Sequence, residues 1–308
     1  MSGTVVAVVG PTATGKSDLA IALALRLGGE VVGADASQLY RGMDIGTAKV
    51  PVEDRHGIAH HQLDVLDVTE EASVAAYQRH ARDDIGAVLA RDRVPVVAGG
   101  SGLYVRAALD RLDIPPTDPE VRGALEQRLE DEGVAPLLAE LRAADPRAAT
   151  AIEPNNGRRV VRALEVIALT GRPFSATMPT REFVRPTVLV GLRTDREALD
   201  TRIDGRAQRM FAQGLVEETR ALVDLGLREG RTASRAVGYA QALAVLDGTM
   251  STEDAVADTA LRTRRLVRRQ ESWFGADPRV TWFDPLAEPA DALVDRVVEH
   301  VTHNGVHG

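Results

Sequence analysis

The feature that most constrains the fold is a strand, a glycine loop and a helix that follow one another near the N-terminus. The apolar run Thr4-Val-Val-Ala-Val-Val9 leads into the loop, and an Ala/Leu stretch of helical period follows to Leu25. Phosphate-binding loops occur in this context, because their glycines turn several backbone N–H groups inward at a positively polarised helix N-terminus. We therefore predict that a pyrophosphate-like group is bound by Gly10, Pro11, Thr12, Ala13, Thr14, Gly15, Lys16 and Ser17.

The last two side chains of this loop have separate expected roles. Lys16 should contact the terminal phosphate oxygens, and the Ser17 hydroxyl should take one position on a Mg²⁺ ion. Lysine occurs only at positions 16 and 49, whereas arginine supplies every other basic side chain. A compact ammonium group suits a tight loop better than a guanidinium group, which gives Lys16 a reason to depart from this bias.

Two further strands are predicted to end at the same edge of an α/β sheet. Glu30-Val-Val-Gly-Ala34 leads to Asp35, and Val94-Pro-Val-Val-Ala98 leads to Gly99-Gly-Ser101. Ligands of open α/β sheets bind at the carboxyl ends of the strands, so Asp35 and Ser101 join Lys16 as candidate catalytic residues. The strand that ends at Ala98 lacks the terminal carboxylate with which P-loop ATPases hold Mg²⁺ and water. This absence weakens ATP hydrolysis as the main activity.

Two polar segments lie between these strands. Residues 36–49 are dense in polar side chains between glycines, which indicates a structured functional loop, with a merely solvated loop as the alternative. Gln38 in this loop has an amide that can pair with a base edge. The cluster His60-His61-Gln-Leu-Asp64 invites a metal interpretation. Adjacent side chains on a strand face opposite sides, however, so an anchoring role for the histidines is favoured.

A change in character divides the chain. A Pro-rich linker over residues 113–119 precedes charged helical stretches, and strand character returns at residues 187–192. We predict an α/β fold with a P-loop NTPase-like core, in which a parallel sheet is flanked by helices, over residues 1–114 and 187–301. A mostly helical insertion domain is predicted over residues 115–186, and a flexible tail over residues 302–308.

Composition narrows the class of protein. The chain contains no cysteine, which excludes disulfides, a thiol nucleophile and a cysteine-based zinc site. The N-terminal residues lack the basic region and cleavage site of a signal peptide, and no run approaches about eighteen apolar residues. We therefore expect a cytoplasmic protein that does not bind membranes.

The distribution of charge matters more than its sum. The formal net charge of −8 argues against nucleic acid, but Arg262-Thr-Arg-Arg-Leu-Val-Arg-Arg-Gln270 is a strongly basic helical segment. Trp273 and Phe274 follow it, so the segment is predicted to contact an RNA backbone, with a solvated helix as the alternative. Another helix begins with Arg158, Arg159 and Arg162. Basic side chains interact unfavourably with the positive end of the helix dipole, so a phosphate partner is a reason for their presence there.

Taken together, the ordered motifs resemble those of the tRNA dimethylallyltransferases, also called tRNA isopentenyltransferases. The resemblance spans nearly the whole chain. The motifs that carry it are Gly10-Pro-Thr-Ala-Thr-Gly-Lys-Ser17, Asp35-Ala-Ser-Gln-Leu-Tyr-Arg-Gly-Met-Asp-Ile-Gly-Thr-Ala-Lys49, Gly99-Gly-Ser-Gly-Leu-Tyr104, Asp118-Pro-Glu-Val-Arg122, Arg158-Arg-Val-Val-Arg-Ala-Leu-Glu165, Arg202-Ile-Asp-Gly-Arg206, Gly214-Leu-Val-Glu-Glu218, Val237-Gly-Tyr239 and Arg268-Arg-Gln270. The phosphate loop alone is unspecific, but the ordered set is specific.

The resemblance implies transfer of a dimethylallyl group from dimethylallyl diphosphate to the exocyclic N6 amine of adenosine 37, beside the tRNA anticodon, with release of diphosphate. The implied cofactor is Mg²⁺, the implied partner is the anticodon stem-loop of tRNA, and a monomer is expected. Arg202 and Arg206 are expected to join the loop in binding the diphosphate, and Asp35 to accept a proton from the amine. The residues expected to contact tRNA are Asp35, Ala36, Ser37, Gln38, Ser101, Arg122, Arg158, Arg159, Val160, Val161, Arg162, Arg235, Gly238, Tyr239, Arg264, Arg265 and Arg268.

Several positions depart from the family pattern. Ala36 stands where the family often has serine, Ser101 where it often has threonine, and Ala240 and Gln241 where it often has lysine and glutamate. Three alternative functions remain at this stage. They are an isopentenyltransferase acting on free AMP or ADP, a small-molecule P-loop kinase, and a non-catalytic RNA-binding NTPase switch.

Overall fold

The structure is a computed structural model that describes residues 3–177 and 181–305. The strands are β1 (Val5–Val9), β2 (Gly29–Gly33), β3 (His60–His61), β4 (Val94–Gly99), β5 (Thr187–Leu192) and β6 (Val280–Phe283). The helices are α1 (Lys16–Leu27), α2 (Val74–Leu89), α3 (Gly102–Leu109), α4 (Pro119–Glu132), α5 (Val134–Ala144), α6 (Pro146–Ala151), α7 (Gly157–Thr170), α8 (Arg196–Ala212), α9 (Leu215–Asp224), α10 (Tyr239–Leu246), α11 (Thr252–Gly275) and α12 (Ala290–Gly305). Short 3₁₀ turns cover Val52–Arg55, Phe174–Thr177, Leu227–Glu229 and Ala233–Arg235.

The strands form one sheet in the order β3-β2-β4-β1-β5-β6, and every neighbouring pair is parallel. Val9 at the end of β1 aligns with Gly99 of β4 on one side and with Gly191 of β5 on the other. The loops after β1, β2 and β4 therefore leave from the same carboxyl edge of the sheet. The predicted α/β core with a parallel sheet and flanking helices is confirmed.

Alternation along the strands explains how the sheet is covered. Val6 and Val8 of β1 point to one face, where they join a buried cluster with Leu23 of α1 and Val297 and Val301 of α12. The helices α2 and α3 pack together, and α2 also packs on β2 and β4. Buried β-branched strands with helical covers are typical of parallel sheets.

The double histidine lies on β3, at the edge of the sheet. His61 Nε2 lies 2.7 Å from Glu30 Oε2 on β2, and Arg91 Nη2 donates to the same oxygen at 2.7 Å. Burial disfavours the charged form of Glu30, but the hydrogen bonds from His61 and Arg91 outweigh it, so the pKa of Glu30 is lowered. His61 therefore anchors the edge strand to its neighbour, as the sequence favours.

A second compact unit comprises Asp110–Glu182, and the first unit comprises the rest of the chain. The sequence placed the insertion at residues 115–186, a few residues later at both ends. In the second unit, Arg111 N–H donates to Glu182 O at 2.7 Å and joins its two ends. Its helices α4 to α7 bury their own core, which includes Leu137, Leu141 and Val160. The segment from Glu120 to Arg142 is broken at Gly133, whose φ of +77° ends α4.

Two features depart from the sequence-based expectations. The four-residue strand β6 was not predicted; it pairs with β5 through Leu189 and Val280. The tail predicted over residues 302–308 is helical through Gly305, because Val301 and Gly305 are buried and Thr4 Oγ1 donates to Gly305 O at 3.1 Å. Residues 306–308 lie outside the described residues, as do residues 178–180 of the predicted insertion. In the part of the chain that the structure describes, no helix has the length and apolar character to cross a membrane.

Candidate active site

The phosphate loop links β1 to α1 and has the backbone that its glycines predict. Gly10 has φ +132°, and a Cβ there would lie 2.5 Å from Leu192 O of the adjacent strand. Gly15 has φ +87°, a conformation that favours glycine. Thr14 Oγ1 donates to Pro11 O at 2.8 Å, and this buried hydrogen bond stabilises the conformation of the loop. The loop is thereby shaped to receive an anion at the N-terminus of α1.

Lys16 lies in the first turn of α1, and its ammonium group reaches back across the loop. Its Nζ donates to Pro11 O at 2.6 Å. Burial lowers the pKa of Lys16 to about 8; the nearby Asp35 carboxylate opposes this effect and Arg206 adds to it. An ammonium group held in this way is available to a phosphate, because a neutral carbonyl is a weaker partner than an anion.

A polar cleft of about 250 Å³ opens over this loop in the first unit. Of the predicted donor-binding and catalytic residues, those that line it are Thr12, Ala13, Gly15, Lys16, Ser17, Asp35, Arg202 and Arg206. Gln38, predicted to contact the base, also lines it. Gly10, Pro11 and Thr14 shape the loop without lining the cleft. The cleft therefore joins the anion-binding loop to the carboxylate that follows β2.

Asp35 is held by the backbone on one side only. Its Oδ1 accepts the Ser37 N–H at 3.0 Å, and within residues 3–177 and 181–305 its Oδ2 accepts no hydrogen bond. Ser101 lies one residue beyond the cleft lining, and its Oγ accepts the Ala36 N–H at 3.4 Å. Asp35 and Ser101 are thus neighbours at the carboxyl edge, and one carboxylate oxygen is free to accept a proton.

The loop after Asp35 closes the other side of the cleft. Gln38 Nε2 and Arg206 Nη2 both donate to Thr47 O, at 3.1 Å and 3.3 Å respectively. One amide hydrogen of Gln38 is therefore already used, which reduces what it can offer to a base edge. Lys49 holds the end of this loop by donating to Tyr40 O at 2.5 Å and to Asp44 Oδ1 at 2.9 Å.

Helix α8 supplies the positive wall of the cleft. Arg202, Arg206 and Arg209 all line it, although only the first two were predicted from the sequence to contact the diphosphate. Their spacing puts them on one side of the helix. Burial lowers the pKa of Arg206, with Asp35 opposing and Arg209 reinforcing the shift. Three guanidinium groups beside Lys16 make the cleft suited to a multiply charged anion.

The predicted RNA-contacting arginines on α11 differ in whether another side chain pairs with them. Arg265 and Arg268 are exposed on α11, and among the described residues neither has a hydrogen-bond or ion-pair partner. Arg269, which lies in the predicted basic segment although it was not in the set of contacts implied by the resemblance, is also exposed and equally unpaired there. Arg264 forms an ion pair with Asp204. We call Arg265, Arg268 and Arg269 the arginine face of α11.

Two of the other predicted RNA contacts of the first unit have little access to solvent. Tyr239 is buried; its hydroxyl donates to Glu218 Oε1 at 2.6 Å and accepts the Gly46 N–H at 3.2 Å. Gly238 is also buried, and its N–H donates to Gln241 Oε1 at 2.8 Å. Tyr239 therefore supports the loop around Gly46, and Gly238 has no side chain to present to a ligand. Arg235 is exposed.

In the second unit, the basic residues at the start of α7 separate in the same way. Arg158 and Arg159 are exposed, whereas Val160 and Val161 are buried in the unit's core. Arg122 and Arg162 each donate to Glu165 Oε2 at 2.7 Å. The side chains of the buried valines do not reach a ligand. Arg122 and Arg162 already have a carboxylate partner.

Glu165, for which the sequence predicted no separate role, is the centre of this cluster. It is fully buried, and its Oε1 accepts the Thr117 hydroxyl at 2.6 Å and the Asp118 N–H at 3.0 Å. Burial disfavours the carboxylate, but the hydrogen bonds from Thr117, Arg162 and Arg122 outweigh it and lower the pKa of Glu165 to about 2. Its spacing to Arg162 along α7 was the sequence signal for this pair.

Comparison with known proteins finds a family model and relatives of high identity. The family model described as IPP transferase matches residues 38–277. The tRNA dimethylallyltransferase of Streptomyces coelicolor is 59% identical over 278 residues, which cover 90% of this chain and 89% of the relative. That of Nocardia farcinica is 59% identical over 280 residues, covering 91% of this chain and 90% of the relative.

Solved structures share the fold over nearly the whole chain. The full-length tRNA isopentenylpyrophosphate transferase from Bacillus halodurans is 38% identical with a TM-score of 0.72, covering 99% of this chain and 97% of that one. A eukaryotic dimethylallyltransferase acting on tRNA is 25% identical with a TM-score of 0.84, covering 99% of this chain and 80% of that one. With a family match over most of its length and relatives at 59% identity, the chain belongs to the IPP transferase family.

Proposed function

We propose that the protein transfers a dimethylallyl group from dimethylallyl diphosphate to the exocyclic N6 amine of adenosine 37 of tRNA and releases diphosphate. The observation that carries this proposal is one cleft that is lined by Lys16, by three arginines of α8 and by Asp35. The cationic residues suit a diphosphate, and the carboxylate suits an amine that must lose a proton.

The donor diphosphate would lie in the phosphate loop. Backbone N–H groups of the loop, Lys16, Arg202 and Arg206 would bind its oxygens, and Arg209 extends the same wall. As the allylic C–O bond breaks, its electron pair passes to the diphosphate, and these groups stabilise the growing negative charge. Loss of one such donor typically costs about 2.7–4 kcal/mol in transition-state stabilisation.

A Mg²⁺ ion fits the oxygen donors of this cleft. Ser17 lines the cleft, and its hydroxyl has no hydrogen-bond partner among the described residues. Those residues contain no group of three or more histidine, cysteine or acidic side chains poised for a metal. Mg²⁺ commonly keeps several waters and binds substrate phosphates with few protein ligands, so Ser17 and the diphosphate would hold it. When bound, the ion would neutralise charge on the departing diphosphate.

Asp35 would act on the acceptor amine. An aromatic amine is a weak nucleophile because its lone pair is delocalised into the ring. The Asp35 Oδ1 is fixed by the Ser37 N–H, so its Oδ2 would accept the proton as the C–N bond forms. Ser101, one residue beyond the cleft lining, would help to orient the same amine or the leaving group.

The RNA is expected to contact exposed arginines in each unit. Within the described part of the chain, the side chains of Arg158, Arg159 and Arg235 are unpaired, and so are those of the arginine face of α11. These groups favour a tRNA anticodon stem-loop over free AMP or ADP as the acceptor, because a single nucleotide has too few phosphates to engage them. The target base would be flipped out of the loop, as chemistry on a base generally requires.

We further propose that the enzyme acts as a cytoplasmic monomer.

The test is nucleoside mass spectrometry of unmodified tRNA after incubation with the protein, Mg²⁺ and dimethylallyl diphosphate. Parallel reactions contain AMP or ADP as the acceptor, or ATP with nucleosides in place of the prenyl donor. We expect dimethylallylated adenosine from tRNA only. Alkylation of AMP or ADP alone would support the free-nucleotide enzyme, and phosphate transfer from ATP would support a kinase.

A further inference from the structure

We propose that Gln270 is a positioning residue that sets the spacing between the phosphate loop and the turn formed by Gly99, Gly100 and Ser101. This role rests on the proposed function, since it acts through the two sides of the donor cleft. Gln270 ends the motif Arg268-Arg-Gln270, and the sequence alone indicated no role for its amide.

The side-chain amide of Gln270 bridges the two loops directly. Its Oε1 accepts the Thr12 N–H at 2.9 Å, and its Nε2 donates to Gly100 O at 3.0 Å. Thr12 and Gly100 both line the cleft. Gln270 itself is only 7% exposed, so water cannot easily replace either bond. One buried amide thus fixes the distance between two loops that line the cleft.

The glycine at position 100 is part of the same device. A Cβ at Gly100 would collide with Gln270 Nε2 and would lie 3.3 Å from Gly10 O of the phosphate loop. The approach of the two loops therefore depends on a residue without a side chain. Val267 and Phe274, both buried, hold this part of α11 in place on either side of Gln270.

The bridge connects the donor side of the cleft to the acceptor side. Thr12 belongs to the phosphate loop, and Gly100 directly precedes Ser101. Ser101 Oγ in turn accepts the Ala36 N–H, beside Asp35. A change in the position of Gln270 is therefore transmitted to both the diphosphate and the group that receives the proton. Misplacement of about 1 Å can cost about a hundredfold in rate.

The first experiment compares Gln270→Met with Gln62→Met. Gln62 is also 7% exposed and donates to Asp84 Oδ2 at 2.7 Å, but it lies outside the cleft. We expect Gln270→Met to lower kcat by about tenfold to a hundredfold, with the Kd for tRNA within about twofold of wild type. Gln62→Met should lower the melting temperature similarly and leave kcat unchanged.

Two further variants separate positioning from loss of folding. Gln270→Glu keeps an acceptor for the Thr12 N–H but turns a second acceptor oxygen toward Gly100 O, so its kcat should fall at least as far as that of Gln270→Met. Gly100→Ala should lower kcat by displacing the amide. In a Gln270→Ala background, where that collision is absent, Gly100→Ala should add much less than it does alone.

Three results would overturn the role of Gln270: wild-type kcat in Gln270→Met, equal losses in Gln270→Met and Gln62→Met, or fully additive effects in the Gly100 and Gln270 cycle. If the wild-type protein alkylates no tRNA, the proposed function fails and the role fails with it. If the wild-type protein is active and Gln270→Met equals it, only the positioning role fails.

Discussion

Lys16 Nζ donates a hydrogen bond to Pro11 O, 2.6 Å away, so the ammonium group lies across the loop that carries it. This hydrogen bond positions the charge where the phosphate loop receives an anion. It also places the group in a site where burial lowers its pKa to about 8. The charge state of Lys16 therefore changes near pH 8.

The first prediction concerns this pH dependence. The ammonium form binds the diphosphate, and the proton is lost as pH rises through about 8, so kcat/KM for the donor should fall above that pH. The kcat should fall less, because bound diphosphate favours the charged lysine. Initial rates measured from about pH 6.5 to about pH 9.5 test this prediction.

Lys16→Arg provides the control for that profile. Arginine stays charged over this range but fits a tight loop poorly, so the variant should be slower and its donor kcat/KM should not fall above pH 8. A wild-type decline that persists unchanged in Lys16→Arg would assign the titration to another group.

The second prediction concerns Asp35. Asp35→Asn retains an oxygen for the Ser37 N–H but cannot accept a proton, and Asp35→Ala loses both functions. Each variant should lower kcat by about 10²- to 10⁴-fold while the Kd for tRNA stays near that of wild type. Single-turnover rates and a filter-binding assay measure the two quantities. Full turnover by either variant is incompatible with a general-base role.

The third prediction concerns the arginine face of α11. Arg265→Gln with Arg268→Gln should weaken tRNA binding and reduce the slope of log K against log salt concentration by about one for each phosphate that is no longer neutralised. Arg264→Gln is the matched control on the same helix, and its effect should be smaller because Arg264 already pairs with Asp204. An unchanged slope in the double variant would show that this face does not bind the RNA.

The fourth prediction concerns stability of the second unit. Glu165→Gln should lower the free energy of unfolding by about 2–3 kcal/mol at neutral pH, because Arg122 and Arg162 lose their buried carboxylate partner. The folded-state pKa of about 2 is below the ordinary value of 4.5. The stabilisation is therefore complete above pH 4.5 and is lost as pH falls toward 2.

Denaturant titrations of wild type and Glu165→Gln at several pH values measure this effect. The difference between their unfolding free energies should be constant from about pH 7 to about pH 5.5 and should shrink toward about pH 3.5. A difference that grows on acidification would contradict the assigned charge state of Glu165.

Local patterns predicted the elements that position the cleft. The glycine loop between a buried strand and a helix predicted that Lys16 lies at the anion-binding loop. The short apolar run before Asp35 predicted that this carboxylate lies at the carboxyl end of β2. Both predictions depend only on neighbouring residues and on the rule that parallel strands share a ligand edge. Strand β6 escaped prediction because a four-residue run is too short to show a period.

Interactions between distant residues escaped prediction for a different reason. Gln270 and Thr12 are 258 positions apart, so their hydrogen bond follows from the packing of α11 and from no local signal. The family resemblance implied that Arg122 contacts RNA, and charge at a helix start indicated a phosphate near Arg162. The structure pairs both arginines with a buried acid. The buried Tyr239 likewise has a partner supplied by the fold, since its hydroxyl donates to the half-buried Glu218. Composition cannot distinguish an exposed arginine from one whose partner is supplied by the fold.

A crystal structure with an unreactive thio analogue of dimethylallyl diphosphate and an anticodon stem-loop would test the proposed chemistry at the reacting atoms. We predict that the diphosphate occupies the phosphate loop against Lys16 and that the Asp35 carboxylate lies about 2.6–3.2 Å from N6 of the target adenine. A complex with the diphosphate in that loop and Asp35 far from any nucleobase would contradict the general-base role of Asp35.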